Sequence, residues 1–185
     1  IVDIGGGTTE IAIISLGGVV SGKSLRIGGD AMDADIISYV RTRYGLGIGE
    51  RTAEDIKIAI GSAYAGDVEK EMVIRGRDLE RGLPKTVRVS SVVIREALAS
   101  SVNKIVEGVS ETIEDSPPEL AADIAERGII LCGGGAQLSG LAKLISKETK
   151  MPVSIASEPL LSVAFGVAKI LETPGLIKKI KIVTA

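Results

Sequence analysis

The chain has 185 residues, with 22 basic and 24 acidic side chains, a net charge of −2 and a mean hydropathy of +0.32. An apolar content of 45% excludes intrinsic disorder, and the absence of histidine excludes His-based triads, His general bases and His–metal sites. Near-neutral charge, with only Tyr39, Tyr44, Tyr64 and Phe165 as aromatic side chains, argues against a nucleic-acid groove, which needs basic tracks and stacking platforms. Cys132 stands alone, so neither an intrachain disulfide nor a Cys-rich zinc site is available, which suits a reducing cytoplasm. No run reaches the roughly 20 apolar residues of a membrane span.

In chain order, Ile1–Ile4 reads as a short apolar strand, Gly5-Gly6-Gly7 as a turn, Glu10–Leu16 as an isoleucine-rich strand and Val19–Ile27 as a third. Three such segments joined by glycine turns make an antiparallel meander. The chain opens inside the first of them without Met, which reads as a piece of a longer protein. At Gly28-Gly29-Asp30 the period changes. Met32, Ile36, Val40 and Tyr44 recur every fourth residue, predicting a helix with Asp30 as N-cap, Asp33 completing a capping-box-like pair and Gly45 as its end. A second helix is expected from about Thr52, with Ile56, Ile60 and Ala63 on one face, to about Gly66. Glu71–Arg75 and Thr86–Val89 read as strands separated by the turn signals Gly76, Gly82 and Pro84.

The longest helix is expected over Ser91 to Glu114, where Ile94, Leu98, Val102, Ile105, Val109 and Ile113 form one buried stripe. Ser116-Pro117-Pro118-Glu119 reads as a capped start of a short helix ending at Gly128. The last third reads as strand Gly128–Cys132, loop Gly133–Gly135, helix Leu138–Thr149, strand Val153–Ile155 and helix Pro159–Leu171. That last helix is apolar on nearly every face and is therefore expected to be buried. It closes at Pro174-Gly175 before a basic tail, Lys178–Lys181. A strand meander followed by helix-alternating strands is an α/β pattern, and the elements between Asp30 and Val89 read as an insertion between two parts of one sheet.

Two triple-glycine segments carry most of the chemistry. In Asp3-Ile4-Gly5-Gly6-Gly7-Thr8-Thr9-Glu10, consecutive glycines let successive N–H groups line an anion nest, with the Thr8 and Thr9 hydroxyls beside it. Asp3 lies between apolar strand residues, where a carboxylate is costly without a task or a partner; ordering the water shell of Mg²⁺ would be such a task. A plain glycine hairpin accounts for the segment equally well. It is not a Walker loop, because no Gly-Lys-Ser/Thr follows, and it does not open a helix as a Rossmann fingerprint would. In Leu131-Cys132-Gly133-Gly134-Gly135, bare backbone could receive a flat ligand, or the glycines could serve a tight strand-to-helix turn. Glu54 and Lys57 share a helix face and could bond a ribose and an adenine edge; taken alone, a surface ion pair explains them better. Asp30, Asp33 and Asp35 read as capping and solvated residues, Cys132 as a small core residue, and Gly166 between Ala164 and Ala168 as a point of tight helix contact or a hinge.

Taken together these segments resemble the actin-like ATPase superfamily of actins, sugar kinases and heat-shock chaperones. Asp3–Glu10 resembles its second phosphate motif, and Leu131–Gly135 its adenosine motif. Within it the chain is most similar to the MreB family of bacterial cell-shape proteins. Val2–Leu16, Gly49–Glu54, Arg75–Leu79, Gly82–Lys85, Pro117–Ala121 and Arg127–Ile129 carry that resemblance in order along the chain.

The resemblance implies the second half of such a protein: a ribonuclease-H-like subdomain over 1–29 and 90–185, and an inserted subdomain over 30–89. It implies ATP or ADP with Mg²⁺ as cofactors, with Asp3 ordering the metal through water and, with Thr8 or Thr9, the attacking water. By the same match, Gly5, Gly6, Gly7 and Thr8 cradle phosphates, Glu54 and Lys57 contact ribose and adenine, and Gly133, Gly134 and Gly135 form the adenosine wall. Ala59 stands where many relatives carry an acid, which weakens the expected sugar contacts. The intact family protein is implied to be a cytoplasmic ATPase that assembles head to tail at the inner face of the membrane, with membrane and morphogenesis proteins as partners. This chain lacks the first phosphate loop and catalytic glutamate, so negligible turnover is expected of it. The alternatives are a non-enzymatic module that caps filaments, and a plasmid-partitioning or chaperone-type relative.

Overall fold

The computed structural model describes residues 1–66, 68–173, 175 and 176. The opening meander forms as β1 (Val2–Ile4), β2 (Thr9–Ser15) and β3 (Gly18–Leu25). It joins β7 (Ile129–Cys132) and β8 (Val153–Ile155) in a five-stranded sheet of order β3-β2-β1-β7-β8. The β1–β2 and β2–β3 pairs are antiparallel, whereas β7 runs parallel to β1, and β8 parallel to β7. A second, antiparallel sheet of order β4-β5-β6 combines Leu46–Gly47, Glu71–Asp78 and Pro84–Ser90. The fold is therefore mixed α/β, as the alternation of elements predicts.

The helices are α1 (Gly29–Tyr44), α2 (Glu50–Ile60), α3 (Ser91–Glu114), α4 (Pro118–Arg127), α5 (Leu141–Thr149) and α6 (Ser162–Glu172). The apolar stripe of α3, with Ile94, Leu98, Val102, Ile105 and Val109, belongs to one cluster with Val2, Ile4, Ile11 and Leu131 of the large sheet and Leu141 and Ile145 of α5. That cluster continues through Met32, Ile36 and Val40 of α1 and Ile56 of α2 to Ile74 and Val89 of the small sheet. At about 25 cal/mol per Å² of apolar surface removed from water, this shared core is the main stabilising element of the fold.

Several boundaries depart from expectation. The first helix starts at Gly29 with Gly28 as N-cap and no side-chain cap, because its first N–H groups find backbone partners instead. The second ends at Ile60, six residues before Gly66, and Ser62 beyond it bridges to Ser139. Ser116 does not cap α4; its hydroxyl donates to the Ile113 carbonyl, and Pro117 occupies the cap position. A 3₁₀ turn at Gly134–Gln137 delays α5 until Leu141. The largest difference is α6, which buries none of its residues and leaves Val163, Phe165, Val167 and Leu171 exposed. An apolar circumference shows that a helix calls for cover, but the described residues supply none. Gly166 likewise has open space around it rather than a close helix contact. Pro174 and the basic tail Lys178–Lys181 lie outside the described residues.

Candidate nucleotide site

Parallel pairing of β1 and β7 brings their C-terminal ends, Ile4 and Cys132, to the same edge of the sheet. Each end runs directly into one of the triple-glycine loops. Ligand crevices in α/β sheets form outside the carboxyl ends of strands, and this edge has one. A cavity of about 690 Å³ opens there, bounded by Gly5 and Gly6, by Gly134 and Gly135, and by Glu54 and Lys57 of α2. Cavities of roughly 300–1,000 Å³ accommodate small-molecule and cofactor ligands.

The first loop is held by α1. Gly5 N–H donates to the Thr8 carbonyl at 2.9 Å, and the carbonyls of Gly5 and Gly6 accept from Gly29 and Asp30 N–H, each at 2.9 Å. This close approach requires Gly28, where a Cβ would lie 2.4 Å from the Gly6 carbonyl oxygen. Thr8 is exposed. Thr9 is fully buried, and its hydroxyl donates to the Ile27 carbonyl at 2.7 Å. The Thr9 hydroxyl is thus spent on the sheet, whereas Thr8 of the two expected threonines is open beside the loop.

The second loop is shaped by β1. A Cβ at Gly133 would meet the Ile4 carbonyl oxygen at 2.3 Å and Asp3 Oδ1 at 2.5 Å, and one at Gly135 would meet Ile4 Cγ2 at 2.2 Å. Gly133 is therefore turned towards Asp3 and away from the cavity lining, whereas Gly134 and Gly135 reach the cavity. Leu160 closes over Gly134, 3.2 Å from where its Cβ would stand. Asp3 is half-buried beside Cys132, and Gly7 is exposed at the open side of the loop. Burial foremost, and then the neighbouring Asp3 carboxylate, push the Cys132 thiol up, which leaves it an inert core residue as the sequence suggests.

Lys57 does not pair with Glu54. Its ammonium group donates to Asp33 Oδ2 at 2.8 Å and to the Gly29 carbonyl at 3.0 Å, in a setting where both side chains are largely buried. The sequence reads Asp33 as half of a capping-box-like pair on a solvated face; its spacing to Ile36 and Val40 places it on the buried stripe instead, and the helix start has no side-chain cap. Its Oδ1 is buried without a partner among the described residues. Burial pushes its carboxyl pKa up, outweighing the opposing effect of Lys57. Asp35 is also partnered, accepting from the Ser101 hydroxyl at 2.6 Å. Asp30, which sequence reasoning treated as a cap, lies with its carboxylate beside Gly6 at the rim of the cavity.

Among the described residues no three His, Cys, Asp or Glu side chains converge into a metal cage. A single half-buried carboxylate such as Asp3 still fits Mg²⁺, which keeps several waters and is usually held by one or two carboxylates plus phosphate oxygens.

The family model described as MreB/Mbl protein matches residues 1–179. The chain is 54% identical over 172 residues to the cell shape-determining protein MreB of Escherichia coli, covering 93% of this chain and 50% of that protein. It is 46% identical over 182 residues to the cell shape-determining protein Mbl of Bacillus subtilis, covering 98% and 55%. Among solved structures, MreB5 of Spiroplasma citri bound to ADP superimposes with a TM-score of 0.91 at 42% identity, over 96% of this chain and 54% of that one. The MamK double helical filament shares the fold, with a TM-score of 0.74 at 22% identity over 93% and 53%. The chain spans about half the length of the relatives it matches.

Proposed function

The chain belongs to the MreB/Mbl family, and from that premise we propose that it is the nucleotide-binding half of a cell-shape protein, taking ATP or ADP with Mg²⁺ between its two glycine loops. The observation that carries this reading is the convergence of both loops, from parallel strands, on one cavity faced by Glu54 and Lys57. The MreB5 relative, solved with ADP and with AMPPNP, supports it.

In this reading the N–H groups of Gly6, Gly7 and Thr8 hold phosphate oxygens, since that of Gly5 is spent on the Thr8 carbonyl. Gly134 and Gly135 give the adenosine a flat backbone wall, while Gly133 keeps that wall against Asp3 and Ile4. Glu54 accepts from ribose hydroxyls, and Lys57 closes the adenine side. Asp3 would hold Mg²⁺ through water, the metal supplying charge neutralisation for the phosphates. Asp3 and Thr8 are the groups on this wall that would orient a water for hydrolysis in the intact protein.

The reading extends to organisation and assembly. The small sheet lies wholly within residues 46–90, which supports the division into a subdomain over 1–29 and 90–185 and an insertion over 30–89. Nucleotide between the two halves of the intact protein would couple its shape to head-to-tail contacts in the cytoplasm, and a heterologous interface need not close, so it propagates as a filament. The MamK filament shares this fold. No described helix is long and apolar enough to cross a membrane. Calorimetric titration of the chain with Mg–ATP tests the core of the proposal, and saturable binding weakened in Lys57→Ala is the expected result.

A further inference from the structure

We propose that Asp33 is a positioning residue of the nucleotide cavity: by holding the Lys57 ammonium against the first turn of α1, it locks the helix bearing Glu54 to the phosphate-side glycine loop. This rests on the nucleotide reading of the cavity, but its geometry stands independently of that reading.

The connections run without a gap. Gly5 and Gly6 are fixed by the N–H groups of Gly29 and Asp30. The carbonyl of that same Gly29 accepts from Lys57 Nζ at 3.0 Å, and Lys57 Nζ donates to Asp33 Oδ2 at 2.8 Å. Gly29 and Asp33 are one helical turn apart on α1, so a single ammonium spans the turn whose other side grips the loop. The space is tight as well: a Cβ at Gly29 would meet Lys57 Nζ at 3.2 Å and Gly6 Cα at 3.8 Å. Lys57 and Glu54 share a face of α2, so fixing Lys57 also fixes where the helix presents Glu54.

The energetics point to positioning rather than stability. A buried ion pair is a weak stabiliser because desolvation offsets its attraction. Here the pair is also incompletely satisfied, with Asp33 Oδ1 left without a partner. An unsatisfied buried acceptor is a net penalty, so the fold gains little by keeping a carboxylate at this point. What the carboxylate supplies is a fixed place for a flexible ammonium that would otherwise explore several rotamers. Lys57 makes its hydrogen bonds to Gly29 and Asp33, while the charges of Glu54 and Asp30, the other acids facing the pair, oppose that of the Asp33 carboxylate.

The test is amide hydrogen exchange, read by NMR on the ligand-free chain and on Asp33→Asn, Lys57→Met and the double variant. The expected result is faster exchange of the Gly29 and Asp30 amides, by about tenfold or more, in each single variant, with the α3 amides of Leu98 and Val102 unchanged. The double variant should add nothing further, since both changes remove one link. Lys57→Arg, which keeps the charge, should retain most of the protection. A second readout is Mg–ATP affinity, expected to fall in Asp33→Asn although Asp33 does not line the cavity. If Asp33→Asn fails to fold, Lys57→Met carries the same exchange comparison. Unchanged Gly29 and Asp30 exchange in a folded single variant overturns the proposal. Failure of the parent chain to bind Mg–ATP would count against the nucleotide reading alone, because the exchange data decide the link without any ligand.

Discussion

Gly135 has no room for a side chain: a Cβ there would stand 2.2 Å from Ile4 Cγ2, at the centre of the sheet edge that carries the site. Gly7, in the other loop, has nothing within 4 Å of the same position. Gly135→Ala should therefore destabilise by about 1–3 kcal/mol, the usual cost of overpacking, while Gly7→Ala should stay within about 0.5 kcal/mol of the parent in urea unfolding. Asp33 gives a pH signature. Its carboxyl pKa is raised in the folded chain, so over the window from the ordinary value of about 3.9 up to that raised value the folded state holds more protons than the unfolded state. Stability from this group accordingly falls as pH rises through the window. Unfolding measured across acidic pH should show the parent losing stability relative to Asp33→Asn as pH rises there, and a constant difference would contradict the assignment. At this scale the sequence reveals residue types better than residue partners. The triple glycines and Asp3 stand out in the local pattern, whereas Lys57 taken alone reads as half of a surface ion pair and gains a role only through the family resemblance. That Lys57 chooses Asp33 over Glu54, or that Thr9 faces the sheet, depends on how α1 docks against α2 and how β2 pairs with β3, which no local pattern encodes.

Elements were more legible than their ends. The three-strand meander, the long stripe of α3 and the strands flanking the second glycine loop follow from periodicity, because burial imposes a repeat of two on a half-buried strand and 3.6 on a helix. Boundaries failed where tertiary bonds replaced local ones. The first N–H groups of α1 are satisfied by Gly5 and Gly6 carbonyls rather than by an Asp cap, and the chain beyond Ile60 is drawn off to pair at Ser139. Helix α6 failed for another reason. Its composition demands cover, and within the described residues its Phe165 side chain stays 55% exposed. Phe165→Ser should consequently change the stability of this chain by no more than about 0.5 kcal/mol. Ile145→Ala on α5, a fully buried position, should cost about 2–5 kcal/mol in the same unfolding assay. A large loss from Phe165→Ser would mean that α6 packs on this chain in solution after all.

At the scale of the molecule, one hydrophobic core joins two sheets, and the edge where two parallel strands end supplies the cavity. This arrangement makes the site a property of the fold: α1 grips one glycine loop, β1 shapes the other, and α2 faces both. The resemblance of motifs along the whole chain makes the family legible from sequence. The cavity itself is not legible in that way, since it exists only once β7 has crossed back to lie beside β1. The most direct test is calorimetric titration of Mg–ATP into this chain, into Asp3→Ala and into Lys57→Ala. The account predicts saturable, Mg²⁺-dependent binding that weakens by about ten- to a hundredfold in Lys57→Ala, where the ammonium that ties α2 to the α1 turn is gone, and that loses its Mg²⁺ dependence in Asp3→Ala. Absence of saturable binding to the folded parent chain, or binding indifferent to both substitutions, would contradict it.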